Sequence, residues 1–239
     1  MNDLILPHSV TSYECTADHL LKPECFMLLC QEMAERHAEL NGLGYEWSVS
    51  HHMVWVEVQG TFEFVRRPQW KETVNLRTNT GKASALQARR FVEMTDEAGT
   101  VIARADLLWV LIDIDSRRPI PLKRAGLEMT EECPSITAPF PKAESAETAP
   151  AATADFTALR RDVDFNGHIN NSAYLTWALD TLPAELTEGK SPARFNIQFK
   201  HETFCGQSIT LEHRTEGAFT RHRVLGEGTL RAEIGIEWA

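Results

Sequence analysis

The densest group of chemically active side chains lies in one short segment, Arg160 to Asn171. Asp164, Asn166 and His168 stand two positions apart within it and supply a carboxylate, an amide and an imidazole. If the segment is extended, this alternation puts the three side chains on one side. Carboxylates and imidazoles act as general acids and bases, and an amide can donate a hydrogen bond to a reacting oxygen. A helix that begins near Asn171 would add free N–H groups beside that oxygen, which suits a carbonyl substrate.

A purely structural interpretation of the same segment is also open. Asp164 and the asparagines could cap a turn and the following helix, with His168 only packing beside them. The residue types alone do not decide between the two interpretations.

The first half of the chain contains a helix pattern followed by strand patterns. Apolar residues recur every three or four positions from Pro23 to Asn41, which predicts one long, largely buried helix. Alternation from Val54 onward predicts an antiparallel sheet, with a hairpin turn at residues 96–99 and a central strand in the range 101–115.

The second half repeats that order in a shorter form. Asn170 or Asn171 can cap a helix that ends at Pro183, and strand-like alternation follows from Phe195 to Trp238. Residues 134–153 contain four of the eleven prolines and no apolar periodicity, which is typical of a linker. We therefore expect an N-terminal domain at 1–133 and a C-terminal domain at 154–239.

Composition narrows the class of protein. The 239 residues include 24 Lys and Arg against 34 Asp and Glu, a net charge of −10, so a general nucleic-acid binder is not expected. A hydrophobic share of 43% indicates a folded chain. No apolar stretch approaches the roughly 20 residues that cross a bilayer, and no secretory signal is visible, so a cytoplasmic protein is expected. Five cysteines without CxxC spacing indicate reduced thiols rather than a disulfide framework.

Three segments resemble the acyl-acyl carrier protein (acyl-ACP) thioesterases, the plant and bacterial family that releases fatty acids from their carrier. Residues 164–177 match the pattern D-x-N-x-H-V/I-N-N-x-x-Y-x-x-W. Residues 67–74 look like R/Y-P-x-W-x-E-x-V, and residues 109–119 are similar to W-V-L-I/M-D…R-R-P. The resemblance runs from about Tyr13 to near the C-terminus.

The resemblance implies an α+β fold of two tandem hotdogs, each a long helix wrapped by an antiparallel sheet. It also implies a glutamate on a strand of the second hotdog, here Glu202, as the fourth member of a catalytic set with Asp164, Asn166 and His168. A cysteine follows that glutamate in a common plant pattern, whereas this chain has Thr203. Cys205 would share a side with Thr203 on a strand, but nothing in the sequence pairs it with His168 as a nucleophile.

The resemblance further implies an acyl pocket in the first hotdog and an acyl carrier protein as partner. Candidates to line the pocket are Met27, Leu28, Met33, Trp55, Val56, Phe62 and Phe64, although for each of them a place in the core is favoured over one in the pocket. An acidic carrier needs local basic residues on this acidic chain. The candidates for docking it are Arg66, Arg67, Lys71, Arg117, Arg118, Lys123, Arg124, Arg160 and Arg161, which could instead form ordinary ion pairs.

Several alternatives remain open at this level. The same chemistry would serve an acyl-CoA thioesterase, and a non-catalytic acyl-binding protein could keep the pocket while the polar residues only cap turns. The nine histidines show no HExxH or other dense ligand spacing, so neither a metal nor another cofactor is expected. A monomer and a homodimer both fit tandem hotdogs.

Overall fold

The computed structural model describes residues 3–127, 133–142 and 149–239. The chain divides into two compact units, Met1–Ala138 and Pro139–Ala239. Among the described residues, no helix is both long and apolar enough to span a membrane.

The first unit combines one long helix, one short helix and an antiparallel sheet. Its elements are β1 (Leu4–Ser9), α1 (Pro23–Leu40), α2 (Tyr45–Ser50), β2 (Met53–Phe64), β3 (Thr73–Lys82), β4 (Gln87–Thr95) and β5 (Val101–Asp113). The strands lie in the order β1-β3-β4-β5-β2, and every neighbouring pair is antiparallel. The α1 helix contacts β3 and β4.

The α1 helix follows the predicted pattern closely. Pro23 occupies the first turn, where its missing N–H costs no hydrogen bond, and Asn41 caps the other end by donating Nδ2 to the carbonyl of His37 at 2.7 Å. The buried face includes Phe26 and Met33, both at most 2% exposed. Burying such side chains contributes about 1.5–3 kcal/mol each, so packing of this face stabilises the helix far more than its caps do.

The predicted hairpin turn between β4 and β5 is confirmed. Gly99 adopts φ +83° and donates to the carbonyl of Asp96 at 3.0 Å, while the Asp96 carboxylate accepts from the N–H of Thr100 at 2.8 Å. A left-handed residue is required there, and glycine adopts that conformation without steric cost.

The second unit again places a helix against an antiparallel sheet. Its elements are β6 (Ala152–Thr157), α3 (Asn171–Thr181), β7 (Pro192–Phe199), β8 (Ser208–Glu216), β9 (Phe219–Gly226) and β10 (Thr229–Trp238). The strands lie in the order β7-β10-β9-β8-β6, all antiparallel, and α3 contacts β8 and β10.

The sequence missed three elements. The strands β1 and β6 each lie at one end of the strand order within their own unit and alternate only between partly buried and exposed residues, so their hydrophobic contrast is weak. The first two residues of β6, Ala152 and Thr153, had been assigned to the linker. The α2 helix spans six residues, too few to show a helical period.

A pair of histidines is buried in the sheet of the second unit. His213 on β8 and His222 on β9 are cross-strand neighbours whose Nδ1 atoms lie 2.8 Å apart, and both side chains are at most 1% exposed. Desolvation by burial, with smaller contributions from His213 and Arg221, lowers the pKa of His222 to about 3. Burial also lowers the pKa of His213. Both rings are therefore neutral in the folded protein at neutral pH.

The buried histidine pair predicts that acid lowers the free energy of unfolding. The loss should begin at a pH above the range in which carboxylates titrate. In the unfolded chain His222 takes up a proton as the pH falls through about 6.5, whereas the folded chain resists protonation down to about 3, so stability is lost as the pH falls across that window. Between pH 6.5 and 4.5 we expect the free energy of unfolding to fall about 2–3 kcal/mol more for wild type than for His222→Gln. Urea unfolding at several pH values measures this. His51→Gln, at an exposed position, is the matched control and should follow wild type; equal slopes for wild type and His222→Gln would contradict the prediction.

Candidate active site

The segment that carries Asp164, Asn166 and His168 is a tight turn, and the expectation that it is extended is wrong. Val163 and Ile169 form an antiparallel bridge across its base, and Asp164 donates its N–H to the carbonyl of His168 at 2.9 Å. Gly167 adopts φ +85°, a left-handed conformation that reverses the chain and that glycine adopts without strain. The reversal, rather than strand alternation, brings the side chains together.

The carboxylate of Asp164 is the centre of this turn. Its Oδ1 accepts the backbone N–H of Asn166 at 2.8 Å, and its Oδ2 lies 3.5 Å from both Asn166 Nδ2 and His168 Nδ1. Part of the structural interpretation is therefore correct, because Asp164 does stabilise the turn. The same carboxylate also faces the imidazole, so it can hold the proton of His168 on Nδ1 and leave Nε2 as an acceptor.

The helix after the turn begins as predicted. Asn170 is the N-cap of α3, and its Oδ1 accepts from both the N–H and the hydroxyl of Ser172 at 2.8 Å. The N–H of Asn170 itself donates to the carbonyl of Asp162 at 2.8 Å, and the Asp162 carboxylate accepts from the indole of Trp177 at 3.4 Å. The turn is thus fixed to the first two turns of the helix.

Glu202 lies beyond the end of β7, which stops at Phe199, so the expectation that it is on a strand is wrong. Its carbonyl accepts from Arg231 Nη1 at 2.9 Å, and the carbonyl of the next residue, Thr203, accepts from the N–H of Ile169 at 2.8 Å. These bonds bring the segment of Glu202 against the end of the turn that carries His168.

Burial is the main reason that the pKa of the Tyr174 hydroxyl is raised, and the nearby Glu202 carboxylate raises it further.

Thr203 and Cys205 do not share a side, contrary to the expectation from strand alternation. Thr203 is fully buried, whereas Cys205 is exposed in a turn. The reason is that the chain leaves the sheet after Phe199, so the two-residue period no longer applies.

Sequence reasoning missed the contacts that support the four site residues. Arg231 lies on β10 with no motif around it, and Thr203 was noted only because it is not cysteine. Tyr174 belongs to the motif at residues 164–177, but the motif does not show that its hydroxyl donates to Thr203 Oγ1 at 2.8 Å. The one available signal was a tyrosine in that motif, since a buried tyrosine usually needs a hydrogen-bond partner.

The residues predicted to line an acyl pocket divide by burial. Met27, Met33 and Phe62 are at most 2% exposed, while Trp55, Val56 and Phe64 are partly buried. The Phe62 and Phe64 rings lie 6.0 and 5.4 Å from the ring of Phe26 on α1. Leu28 is 43% exposed, so its inclusion was wrong: it lies on the outer face of the helix.

The residues predicted to dock a carrier also divide into two groups. Arg66 makes a two-pronged ion pair with Glu72 at 2.6 and 3.0 Å, and only 9% of the Arg67 side chain is exposed. The other three predicted basic pairs are exposed: Arg117 and Arg118, Lys123 and Arg124, and Arg160 and Arg161. These three exposed pairs are therefore better placed to meet a partner than Arg66, which is exposed but paired with Glu72, and Arg67, which is mostly buried.

Comparison with known proteins now defines the family. A model described as the acyl-ACP thioesterase N-terminal domain matches residues 7–128, and one described as the C-terminal domain matches residues 145–239. The chain belongs to the acyl-ACP thioesterase family. Each model covers one of the two helix-and-sheet units almost completely.

Several sequence relatives in this family are plant proteins. The chain is 27% identical over 225 residues to a chloroplastic palmitoyl-acyl carrier protein thioesterase of Cuphea hookeriana, covering 87% of this chain and 53% of the relative. It is also 27% identical over 229 residues to a chloroplastic oleoyl-acyl carrier protein thioesterase of Arabidopsis thaliana, covering 86% and 60%. The chain thus spans between half and two thirds of the length of these relatives.

Solved structures of the family share the fold. An acyl-ACP thioesterase from Bacteroides thetaiotaomicron superposes with a TM-score of 0.85 at 21% identity, covering 99% of this chain and 98% of that one. A 12:0-ACP thioesterase from Umbellularia californica gives a TM-score of 0.85 at 20% identity, covering 99% and 97%. The predicted α+β fold of hotdog type is confirmed.

Proposed function

We propose that this chain hydrolyses fatty acyl-ACP thioesters to free fatty acid and carrier protein. The single observation that carries the proposal is the grouping of Asp164, Asn166 and His168 around one carboxylate, with the segment of Glu202 bonded to the end of the same turn. Membership of the thioesterase family gives this arrangement its chemistry, and the names of the relatives give the class of substrate.

In the proposed reaction, Glu202 acts as general base on the water molecule that attacks the thioester carbonyl. Alternatively, Glu202 attacks the carbonyl itself, which breaks the carbon–sulfur bond and gives an anhydride that water then hydrolyses to the fatty acid. His168 orients Glu202, or takes up at Nε2 the proton that the attacking water loses and returns it to the leaving thiolate; Asp164 fixes the tautomer of the imidazole through Nδ1. Asn166, which is exposed at the tip of the turn, donates its amide to the thioester oxygen as negative charge develops there.

The proposal places the acyl chain in the first unit and the carrier on exposed arginines. Burial of Met27, Met33 and Phe62 gives that unit an apolar interior, and methionine side chains adapt to ligands of different length. Arg117, Arg118, Arg160 and Arg161 are the exposed candidates for contact with an acidic carrier, whereas Arg67 is mostly buried and the exposed Arg66 is paired with Glu72. A cytoplasmic location and a homodimer stay predictions; the plant relatives are named as chloroplastic.

The proposed function is tested by thiol release from saturated acyl-ACP substrates of several chain lengths. We expect turnover by wild type and a loss of at least about a thousandfold in Glu202→Gln, because the amide can neither accept a proton nor attack a carbonyl. Matched acyl-CoA substrates run in parallel separate the two thioester classes by kcat/KM. Substrate binding without thiol release would identify a non-catalytic acyl-binding protein, and undiminished activity in Glu202→Gln would remove the mechanism.

Loss of Asn166, the proposed hydrogen-bond donor to the thioester oxygen, should affect kcat and KM differently. Asn166→Ala should lower kcat about a hundredfold with little change in KM, since the hydrogen bond strengthens only as charge develops on the oxygen. Steady-state kinetics measure the split. Asn41→Ala, which removes the C-cap of α1, is the matched control and should leave kcat unchanged. A rise in KM at constant kcat would assign Asn166 to ground-state binding instead.

Carrier docking by the exposed arginines predicts a salt-dependent KM. The double variant Arg160→Glu, Arg161→Glu should raise KM for acyl-ACP about tenfold and leave KM for a small acyl-thioester analogue unchanged, because charge reversal repels an acidic partner. Rising salt should raise the KM of wild type for acyl-ACP alone. Equal responses of the two substrates to salt would exclude docking by charge.

A further inference from the structure

Thr203 joins two parts of the second unit through two different atoms. Its side-chain Oγ1 accepts a hydrogen bond from the hydroxyl of Tyr174 on α3 at 2.8 Å. Its carbonyl accepts from the N–H of Ile169, at the end of the turn that carries His168, at 2.8 Å. The residue directly after Glu202 is thus tied both to the helix and to the turn.

The helix partner of this contact is itself immobilised. Tyr174 is 2% exposed, and its ring packs on Trp177 and Phe199 with centroid distances of 5.3 and 5.7 Å. Trp177 in turn donates to the Asp162 carboxylate at 3.4 Å. A rotamer change at Tyr174 would disturb this packed cluster, so its hydroxyl is a fixed point for Thr203.

The other side of Glu202 is held by β10. Arg231 donates Nη1 to the carbonyl of Glu202 at 2.9 Å, and its own carbonyl accepts from the N–H groups of Lys200 and His201 at 2.8 and 3.2 Å. The backbone of Glu202 is therefore restrained on both sides although it lies outside any strand. Its carboxylate can move only by rotation of its own side chain.

We infer that Thr203 is a positioning residue, whose buried hydroxyl, bonded to Tyr174, holds Glu202 at the distance from His168 that thioester hydrolysis requires. The inference rests on the proposed function. A displacement of about 1 Å in a reacting group can cost about a hundredfold in rate, so a hydrogen bond that fixes the backbone beside Glu202 acts on turnover without touching the substrate. The hydroxyl of Thr203 thus has a task different from that of a nucleophilic thiol.

The test compares Thr203→Val with Thr203→Ser in steady-state thiol release from acyl-ACP. Valine keeps the shape and removes the hydroxyl, so kcat should fall about tenfold while KM stays within about twofold of wild type. Serine keeps the hydroxyl and should restore kcat to within about twofold. Tyr174→Phe should match Thr203→Val, and the double variant should be no slower than either single variant, because the two changes remove one bond.

A matched control separates positioning from general loss of stability. Thr220→Val makes the same substitution at another buried threonine of the second unit, whose hydroxyl bonds to His222 and Trp238. It should lower the melting temperature comparably and leave kcat unchanged. Unchanged kcat in Thr203→Val, equal slowing in Thr203→Ser, or equal slowing in Thr220→Val would each overturn the inference.

The outcome also distinguishes this inference from the proposed function. Suppose that wild type releases thiol, Glu202→Gln does not, and Thr203→Val is as fast as wild type. The proposed hydrolase function is then supported, and only the positioning role of Thr203 is contradicted. If wild type releases no thiol from any acyl-ACP or acyl-CoA substrate, the proposed function falls and the positioning role falls with it.

Discussion

The hydrogen bond from the N–H of Ile169 to the carbonyl of Thr203 is the interaction on which the candidate site depends. One side of it is a turn closed by the Asp164 carboxylate, and the other is a segment that has just left the sheet. Neither segment has a regular ladder of its own to fix its position. The backbone hydrogen bond fixes the two irregular segments relative to each other. The buried contact between Tyr174 and Thr203 keeps water away from that bond.

The ionisable groups of the second unit differ in how deeply they are buried. The side chains of Asp164 and His168 are 14% and 28% exposed, so both keep one side in contact with water. His213 and His222 are buried together, and desolvation keeps both neutral. The same residue type thus lies partly solvated on a turn, where the proposed reaction gives it a proton to transfer, and fully buried as a neutral packing group within the sheet.

The sequence predicted the parts of the fold that have a strong local signal. The α1 helix, the cap at Asn170 and the turn at Asp96 could be found because periodicity, capping and glycine each act within a few residues. The edge strand β1 could not be found from the sequence, because its alternation has no fully buried face. In the site, motif spacing identified the residues but not their geometry: the grouping around Asp164 comes from a left-handed Gly167, and Thr203 acquires its partner only through the packing of α3.

Similarity to solved structures and the local geometry of the site support different parts of the proposed function. At 20–21% identity, the solved structures establish the fold, and a fold of this kind could bind a lipid without cleaving it. The proposed hydrolysis requires in addition that a carboxylate, an imidazole and an amide reach one thioester group at the same time. The turn fixes the amide and the imidazole through one shared carboxylate, and the contacts of Arg231 and Thr203 fix the backbone of the remaining carboxylate. Because these restraints come from four separate segments of the second unit, a change in any one of them would alter the relative positions of the groups that the proposed reaction requires.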